Sequence, residues 1–368
     1  MTEALRPARP VPPGRILKQE LEARDWSQKD LAAILGRPEQ MVSEIATGTK
    51  QITPETSLAL AQAFGSSPEF WYHLETNYRL ELAQRRGNDD AIARRGQLYD
   101  ALPLREMARR GWLCLHESAD DLEREVSGLL GVSVSAAPVL VARLRASTTR
   151  EPLTYAQLAW LRRAEALARE QTAGNWDPEH LEPLAAELLA LACRVEDVAL
   201  VSATLARWGV RCVLLRHLQK TTLDGAAFWL DDGPAVGLTL RYDRIDAFWF
   251  TLMHELAHLA EGEHVSHLDR LEGGEGDPVA AADQPDRHEE TADRLAAGWL
   301  VPPAAFRQFV TLTQPYFSRA RIEAFAADQG RHPGIILGRL QREHLVPWQN
   351  LRSLLAKVSP HLKDHLCD

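Results

Sequence analysis

The sequence contains only four cysteines, and they lie far apart. Cys114, Cys193, Cys212 and Cys367 form no C-x-x-C pair, which fits isolated thiols in a reducing compartment better than a disulfide framework. No hydrophobic run approaches the roughly 18 apolar residues of a membrane helix, and residues 1–14 have no apolar signal-peptide core. We therefore predict a cytoplasmic protein that does not associate with a membrane.

The chain also lacks an excess of positive charge. Its formal net charge is -9, and residues 1–86 contain eleven Lys and Arg against eleven Asp and Glu, so the acidic excess lies beyond residue 86. This balance excludes a non-specific polycation, and it predicts that any nucleic acid meets the neutral N-terminal part through specific contacts. The length of 368 residues, with 45% hydrophobic and 25% charged residues, predicts two or three folded domains.

Residues 1–86 contain many residues that typically begin or end helices, and we predict that they form a domain of five short helices. Ser27 is a candidate N-cap with Asp30 three residues later, and Thr53-Pro54 and Ser67-Pro68 each place a cap before a first-turn proline. Gly65 is positioned to end the fourth helix. Apolar residues at helical spacing predict a small core of Leu17, Leu21, Trp26, Leu31, Leu35, Val42, Ile45, Leu58 and Phe64.

The rest of the chain changes from helical to mixed patterning. Residues 87–195 are predicted to be a helical middle region, with Leu153–Glu170 and Asp177–Val195 as its clearest helices. Residues 196–368 begin with three predicted strands, and a Gly-Pro turn joins the last two as a hairpin: Val210–Leu218, Gly225–Asp232 and Ala235–Asp243. The predicted fold class is therefore mainly α with a small β-sheet, an α+β arrangement.

A two-histidine motif follows these strands directly. In HELAH, His254 and His258 are one helical turn apart, so both imidazoles can face one ion, and Glu255 stands beside the open coordination position as a candidate general base. The alternative is an ordinary helix with two surface histidines. The apolar flanks favour a buried helix, so we predict a Zn²⁺ site.

A catalytic zinc needs a third protein ligand, and two kinds of site compete for this role. His264 lies where a metzincin places its third histidine, but Glu261 stands at the required glycine, and no methionine follows Met253 to form a Met-turn. The metzincin interpretation therefore fails on sequence grounds.

The other candidates lie on a second predicted helix, EETADRLAAGWLVP, from Glu289 to Pro302. Glu289 is the preferred third ligand, in a gluzincin arrangement, and Glu290 is the alternative on the same helix. Asp293, one turn later, is placed to accept a hydrogen bond from a ligand histidine. Acidic residues at this position are also explained by the helix dipole alone.

Two stretches resemble the ImmA/IrrE family of metallopeptidases. These are RIDAFWFTLMHELAHL and, some thirty residues later, EETADRLAAGWLVP; HPGIILGRLQ, from His332, fits the same pattern. The resemblance implies a gluzincin-like domain in which His254, His258 and Glu289 hold zinc and Glu255 is the base. It also implies a repressor or another regulatory protein as the substrate. Gly298 and Trp299 depart from the family pattern, which puts the shape of the substrate cleft in question.

The order of short helices and turns in the N-terminal domain is typical of a helix-turn-helix. The second helix of that motif reads base edges in the major groove. That helix is predicted from about Pro38 to Ala46. We predict base contacts from its exposed side chains and phosphate contacts from its flanks, with Gln28 at the start of the preceding helix contacting backbone or base. The predicted contact residues are Gln28, Arg37, Glu39, Gln40, Ser43, Thr49 and Lys50.

The stretch from Pro13 to Trp71, including WSQKDLAAILGRPEQMVSEIATGTKQ, resembles HigA-type antitoxins of the XRE family. The resemblance implies binding of operator DNA as a homodimer and, in many members, binding of a cognate toxin. Two functions follow as hypotheses. One is a transcriptional regulator with a zinc metallopeptidase that cleaves a repressor or other regulator. The other is an antitoxin that represses its own operon and neutralises a toxin, with a structural or sensing zinc domain.

Overall fold

The computed structural model describes residues 11–85, 89–134, 145–146, 153–260, 267–269 and 287–367. The chain divides into two compact units between Ala93 and Arg94. The described residues are mainly helical, with one small mixed sheet, and this confirms the predicted fold class. No helix within the described residues is long and apolar enough to cross a membrane.

The first unit contains the five predicted helices. Ser27 caps the second helix in a capping box with Asp30, where each side chain bonds the other residue's backbone N–H, and Thr53 caps the fourth. These caps join residues close together in sequence, so the sequence signals sufficed to place the helices. The helices are α1 (Pro13–Glu22), α2 (Gln28–Leu35), α3 (Glu39–Thr47), α4 (Pro54–Phe64) and α5 (Pro68–Arg85).

Six of the nine predicted core residues of this unit are buried, and Trp26 and Leu35 are partly buried and pack against them. Leu17, Leu31 and Val42 are buried, but the side chain of Leu58 is 53% exposed. On α4 the buried stripe follows Ser57, Leu60, Ala61 and Phe64. Leu58 was therefore wrongly assigned, because it lies about 100° around the helix from Ser57, off that stripe.

The second unit contains eleven α-helices and six strands among its described residues, counting the helix that begins before its boundary. The helices are α6 (Asp89–Ala101), α7 (Leu104–Arg109), α8 (Ala119–Leu130), α9 (Tyr155–Arg169), α10 (Leu181–Ala190), α11 (Val201–Arg207), α12 (Ile245–Ala260), α13 (Arg287–Leu300), α14 (Pro303–Thr313), α15 (Arg319–Asp328) and α16 (Pro333–Arg342). The strands are β1 (Arg145–Ala146), β2 (Arg211–Leu215), β3 (Gly225–Leu230), β4 (Gly233–Leu238), β5 (His267–Asp269) and β6 (Leu366–Cys367).

The sheet has the strand order β1-β5-β3-β4-β2-β6. The predicted β3–β4 hairpin is present and antiparallel, whereas β2 pairs with β4 in parallel. The predicted Gly-Pro turn was misplaced, because Leu230 pairs with Gly233 and Trp229 pairs with Pro234 inside the ladder. The acidic pair 231–232 reverses the chain instead, and Gly233 adopts φ 145°, a backbone angle that suits a glycine.

The two faces of the sheet pack against different helices. Strand residues alternate between the faces, so Phe228 joins a core with Trp160 of α9, while Val236 joins a second core with Met253 of α12. Trp160 fills the space over Gly237, where an added Cβ would come within 2.7 Å of the indole. Helix α12 is thus held between the sheet on one side and α13 and α16 on the other.

Candidate metal centre and helix-turn-helix

The helix that carries HELAH is buried along nearly its whole length. Every residue from Ile245 to Leu259 is buried, because apolar side chains on α12 face the sheet, α13 and α16 in turn. His254 is 3% exposed and His258 is 1% exposed. They are therefore not the surface histidines of the ordinary-helix alternative.

Helix α13 brings Glu289 to the two imidazoles. Glu289 Oε2 lies 3.3 Å from His254 Nε2, Glu289 Oε1 lies 3.3 Å from His258 Nε2, and the two Nε2 atoms are 3.1 Å apart. Adjacent ligands around a tetrahedral ion at 2.0–2.1 Å are about 3.3–3.4 Å apart. Each imidazole thus faces a different oxygen of Glu289 at about the separation of neighbouring zinc ligands, and the three residues form a group that could hold a metal ion.

Asp293 lies one turn after Glu289 on the same helix. Its Oδ1 is 2.8 Å from His254 Nδ1, the ring nitrogen that faces away from the cluster. A carboxylate at this distance favours a proton on Nδ1, which leaves the Nε2 lone pair directed at Glu289 and His258. The structure thus puts Asp293 in contact with the histidine for which the sequence analysis proposed it.

Glu255 occupies a confined space between α12 and the start of β3. Its side chain is 0% exposed, and a Cβ added to Gly225 would come within 2.1 Å of Glu255 Oε1 and 2.6 Å of Thr251 Cγ2. The carboxylate thus lies directly against the β3 backbone. Gly225 is the residue that makes this approach possible, and the sequence analysis did not identify it.

We expect Gly225→Ala to displace Glu255, because the new methyl group and the carboxylate oxygen cannot share that space. The expected cost is about 1–3 kcal/mol in the free energy of unfolding, measured by chemical denaturation. Gly128→Ala on α8 is the matched control, since a Cβ there meets nothing within 4 Å; that substitution is expected to be neutral or to stabilise by about 0.5–1 kcal/mol. Equal stability of the Gly225→Ala and wild-type proteins would contradict the packing argument.

The remaining candidates for the third ligand differ in position. Glu290 is exposed on α13, beside Glu289 but outside the cluster. His264 lies outside the described residues, as does the acidic glycine-rich segment Glu272–Gln284.

In the first unit, α2 and α3 are joined by a tight turn. Gly36 ends α2 in a left-handed conformation, and Gly48 ends α3 in the same way. Gln40 Nε2 donates to Glu44 Oε1 at 2.9 Å, and Lys50 Nζ lies 4.0 Å from Glu44 Oε2. Glu44 is thus engaged by two neighbours.

Comparisons with known proteins show what the first unit is similar to. Residues 17–71 match the family model described as helix-turn-helix. An uncharacterized HTH-type transcriptional regulator of Haemophilus influenzae is 37% identical over 73 residues, which are 20% of this chain and 68% of the relative. The chain belongs to the helix-turn-helix family. A further relative is virulence-associated protein I of Dichelobacter nodosus, 32% identical over 76 residues, 20% of this chain and 70% of the relative.

Among solved structures, an addiction module antidote protein of the HigA family from Coxiella burnetii is 40% identical. That match covers 21% of this chain and 86% of the other, with a TM-score of 0.21. The antitoxin HigA of Pseudomonas aeruginosa, solved with its higBA promoter, is 32% identical, and the match covers 21% and 86% of the two chains, with a TM-score of 0.21.

In a helix-turn-helix domain the second helix of the motif enters the major groove, and here that helix is α3. The predicted contact residues lie on its first turns and its flanks, except Gln28, which begins α2. Ser43 and Gln28 are partly buried, whereas the others are exposed to solvent: Arg37, Glu39, Gln40, Thr49 and Lys50.

Proposed function

We propose that this chain is a DNA-binding transcriptional regulator whose second unit is a zinc-dependent metallo-endopeptidase. The observation that carries the enzymatic half is the convergence of His254, His258 and Glu289 at zinc-ligand separations, on a helix that also carries the buried Glu255. The family membership and the exposed face of α3 support the DNA-binding half.

The donor set indicates what the centre would hold and what it would do. Two imidazole nitrogens and one carboxylate are the ligand types of a catalytic zinc that keeps a fourth position open. Zn²⁺ bound there would polarise a peptide carbonyl and lower the pKa of a water molecule. Among the described residues, this metal-ligand group contains no cysteine.

The protein's own residues supply the proton transfer and the orientation. Glu255 would accept a proton from the attacking water and deliver it to the leaving amine, which is a general-base and then a general-acid role. Asp293 would hold the His254 ring in one tautomer through Nδ1. The close approach of Glu255 to Gly225 restricts where its carboxylate can lie, so the base is held in place before a substrate arrives.

For DNA, we assign base contacts to Glu39, Gln40 and Ser43 on α3. Arg37, Thr49 and Lys50 are assigned to phosphates, and Gln28 to backbone or base. A homodimer on a two-fold symmetric operator belongs to the same proposal, because one helix reads only a half-site.

We expect Gln40→Ala combined with Ser43→Ala to remove the preference for operator over random DNA, by about 1–3 kcal/mol per lost base contact. Lys50→Ala should instead weaken binding to all sequences alike and reduce the salt dependence, since it removes a phosphate contact. Fluorescence anisotropy of the full chain with the promoter upstream of its own gene, at two salt concentrations, measures both effects. Lys18→Ala is the matched lysine control, because Lys18 is exposed on α1 and lies outside the predicted contact set; it should bind DNA as the wild type does.

Absence of any binding to that promoter at low salt would contradict the DNA-reading proposal. A uniform loss of affinity in the Gln40 and Ser43 double variant would contradict the assignment of those two side chains to base edges.

Joining the two activities in one chain has a physical consequence. A tethered peptidase meets a DNA-bound substrate at an effective concentration that can approach the millimolar range for a suitable linkage. We propose that the target is a repressor or regulator bound near the same operator, so that even slow hydrolysis acts selectively.

A second function is favoured by one observation: the helix-turn-helix match covers residues 17–71, whereas the metal centre lies in the other unit of the chain. In this second function the chain is an antitoxin, as the resemblance of its first unit to HigA-type antitoxins implies. It represses its own operon and neutralises a cognate toxin, while the zinc centre is structural or sensory. A stable complex with a toxin encoded beside it, with neither protein cut at full zinc occupancy, supports this function over the peptidase.

A further inference from the structure

A cavity of about 230 Å³ lies beside the metal centre, where α12, α13 and α16 meet. It extends along the seam between α12 and α13, from Asp293 towards the beginning of α12 at Asp246. Its walls include the apolar side chains of Phe250, Leu300 and Ile335. A cavity of ~150 Å³ is large enough to bind benzene, so this volume accommodates a compact organic molecule.

Arg342, at the end of α16, places a cation in this cavity. Its guanidinium lies over the Phe250 ring, 3.4 Å from the ring centroid. Among the residues that the structure describes, it has no hydrogen bond or ion pair with a protein acceptor. Burial lowers the pKa of Arg342, while the charges of Asp246 and Asp293 raise it. The side chain is partly buried, and because a guanidinium keeps its charge in proteins, its N–H donors can bond an acceptor that enters the cavity.

Arg339 and Asp246, two charged neighbours of Arg342 in this cavity, already have partners. Arg339 donates to Glu343 Oε1 at 3.0 Å, and it also donates to main-chain carbonyls of α13 and the residue that follows it. Asp246 pairs with Arg244 at 2.9 Å. The lining also contains Arg294, which is exposed on α13, whereas Arg342 lies over the Phe250 ring. A planar carboxylate that enters the cavity fits the forked donors of Arg342.

We propose that this cavity binds a small organic carboxylate, with its charged group on Arg342 and its apolar body against Phe250, Leu300 and Ile335. The proposal goes beyond the metallopeptidase and does not depend on metal binding. Because Asp293 lines the same cavity and also contacts His254, an occupant lies one side chain away from the metal centre. Such a ligand is placed to act as an effector of the second unit.

The test uses 3-phenylpropionate and its uncharged analogue 3-phenylpropionamide, titrated into the full chain by ligand-observed NMR and calorimetry. Both the zinc-loaded and the metal-free protein are used. We expect saturable binding of the carboxylate in both forms and at least tenfold weaker binding of the amide, since only the carboxylate completes a charge-assisted pair with Arg342. An N-acetylated, C-amidated Gly-Glu-Gly peptide tests whether a peptide carboxylate is preferred.

Arg342→Gln is expected to weaken carboxylate binding at least tenfold, whereas Arg321→Gln, an exposed arginine on α15, is the matched control and should bind as the wild type does. Ala297→Phe fills the cavity and should block binding with Arg342 still present. Thermal unfolding of each variant checks that it is folded, and the comparison of carboxylate with amide in the wild type decides the case without any variant.

Three results would overturn the proposal. These are equal binding of carboxylate and amide, unchanged binding by folded Arg342→Gln, and no saturable binding of the carboxylate up to on the order of 10 mM. Tighter binding of the glutamyl peptide than of 3-phenylpropionate would overturn the assignment to a small molecule.

Discussion

Glu289→Ala is expected to remove most of the zinc that the wild-type protein retains. Loss of one of three protein ligands leaves His254 and His258 as the only donors of the described cluster, and the affinity should fall at least about 100-fold. The wild type should hold about one zinc per chain after dialysis against a weak chelator. Inductively coupled plasma mass spectrometry on protein of known concentration measures the stoichiometry.

Glu290→Ala is the matched control, because this carboxylate lies next to Glu289 on α13 but is exposed. It should keep the wild-type zinc content. His264→Ala should also keep it, which tests the candidate that lies outside the described residues. Equal zinc in wild type and Glu289→Ala, or loss of zinc in His264→Ala alone, would refute Glu289 as the third ligand.

Glu255→Gln has the second large expected effect. The amide keeps the size of the side chain but cannot accept a proton, so hydrolysis should fall by about 10²–10⁴-fold while the zinc content and the unfolding transition stay unchanged. The measurement counts new peptide N-termini by mass spectrometry, after zinc-loaded protein is incubated with a peptide library made from the host's own proteins. Activity of Glu255→Gln within tenfold of the wild type, at equal zinc, would exclude Glu255 as the base.

The parts of the molecule that the sequence predicted are those set by short-range chemistry. The capping box of Ser27 with Asp30 and the glycine ends of the helices involve neighbours within a few residues. The i,i+4 spacing of His254 and His258 likewise fixes a common helix face before any tertiary contact is known. The fold class and the five N-terminal helices followed from such signals.

The parts that the sequence did not predict depend on contacts between distant segments. Strands β1, β5 and β6 have only two or three residues each, too few for a pattern of alternation, and they exist through pairing with remote strands. Leu58 was misassigned because helical spacing alone did not show which stripe of α4 the other helices cover.

The surroundings of the candidate site also depend on contacts between distant segments, which the sequence did not predict. No local pattern connects Gly225 with Glu255, which is thirty residues later, or Arg342 with Phe250. The choice of Glu289 over Glu290 came from the expected gluzincin arrangement, and the family resemblance implied the same residue. The structure adds the reason in geometric terms, since only Glu289 of the two lies within reach of both histidines.

The most direct test of the combined function uses full-length Glu255→Gln protein, zinc-loaded, to capture partners in the presence of operator DNA. Each captured protein, and the Glu255→Gln chain itself, is then incubated with zinc-loaded wild type, with and without that DNA, and fragments are identified by mass spectrometry. We predict zinc-dependent cleavage of a captured regulator by wild type, faster on shared DNA, and none by Glu255→Gln. Intact partners and an intact chain at full zinc occupancy would contradict the peptidase and favour the antitoxin.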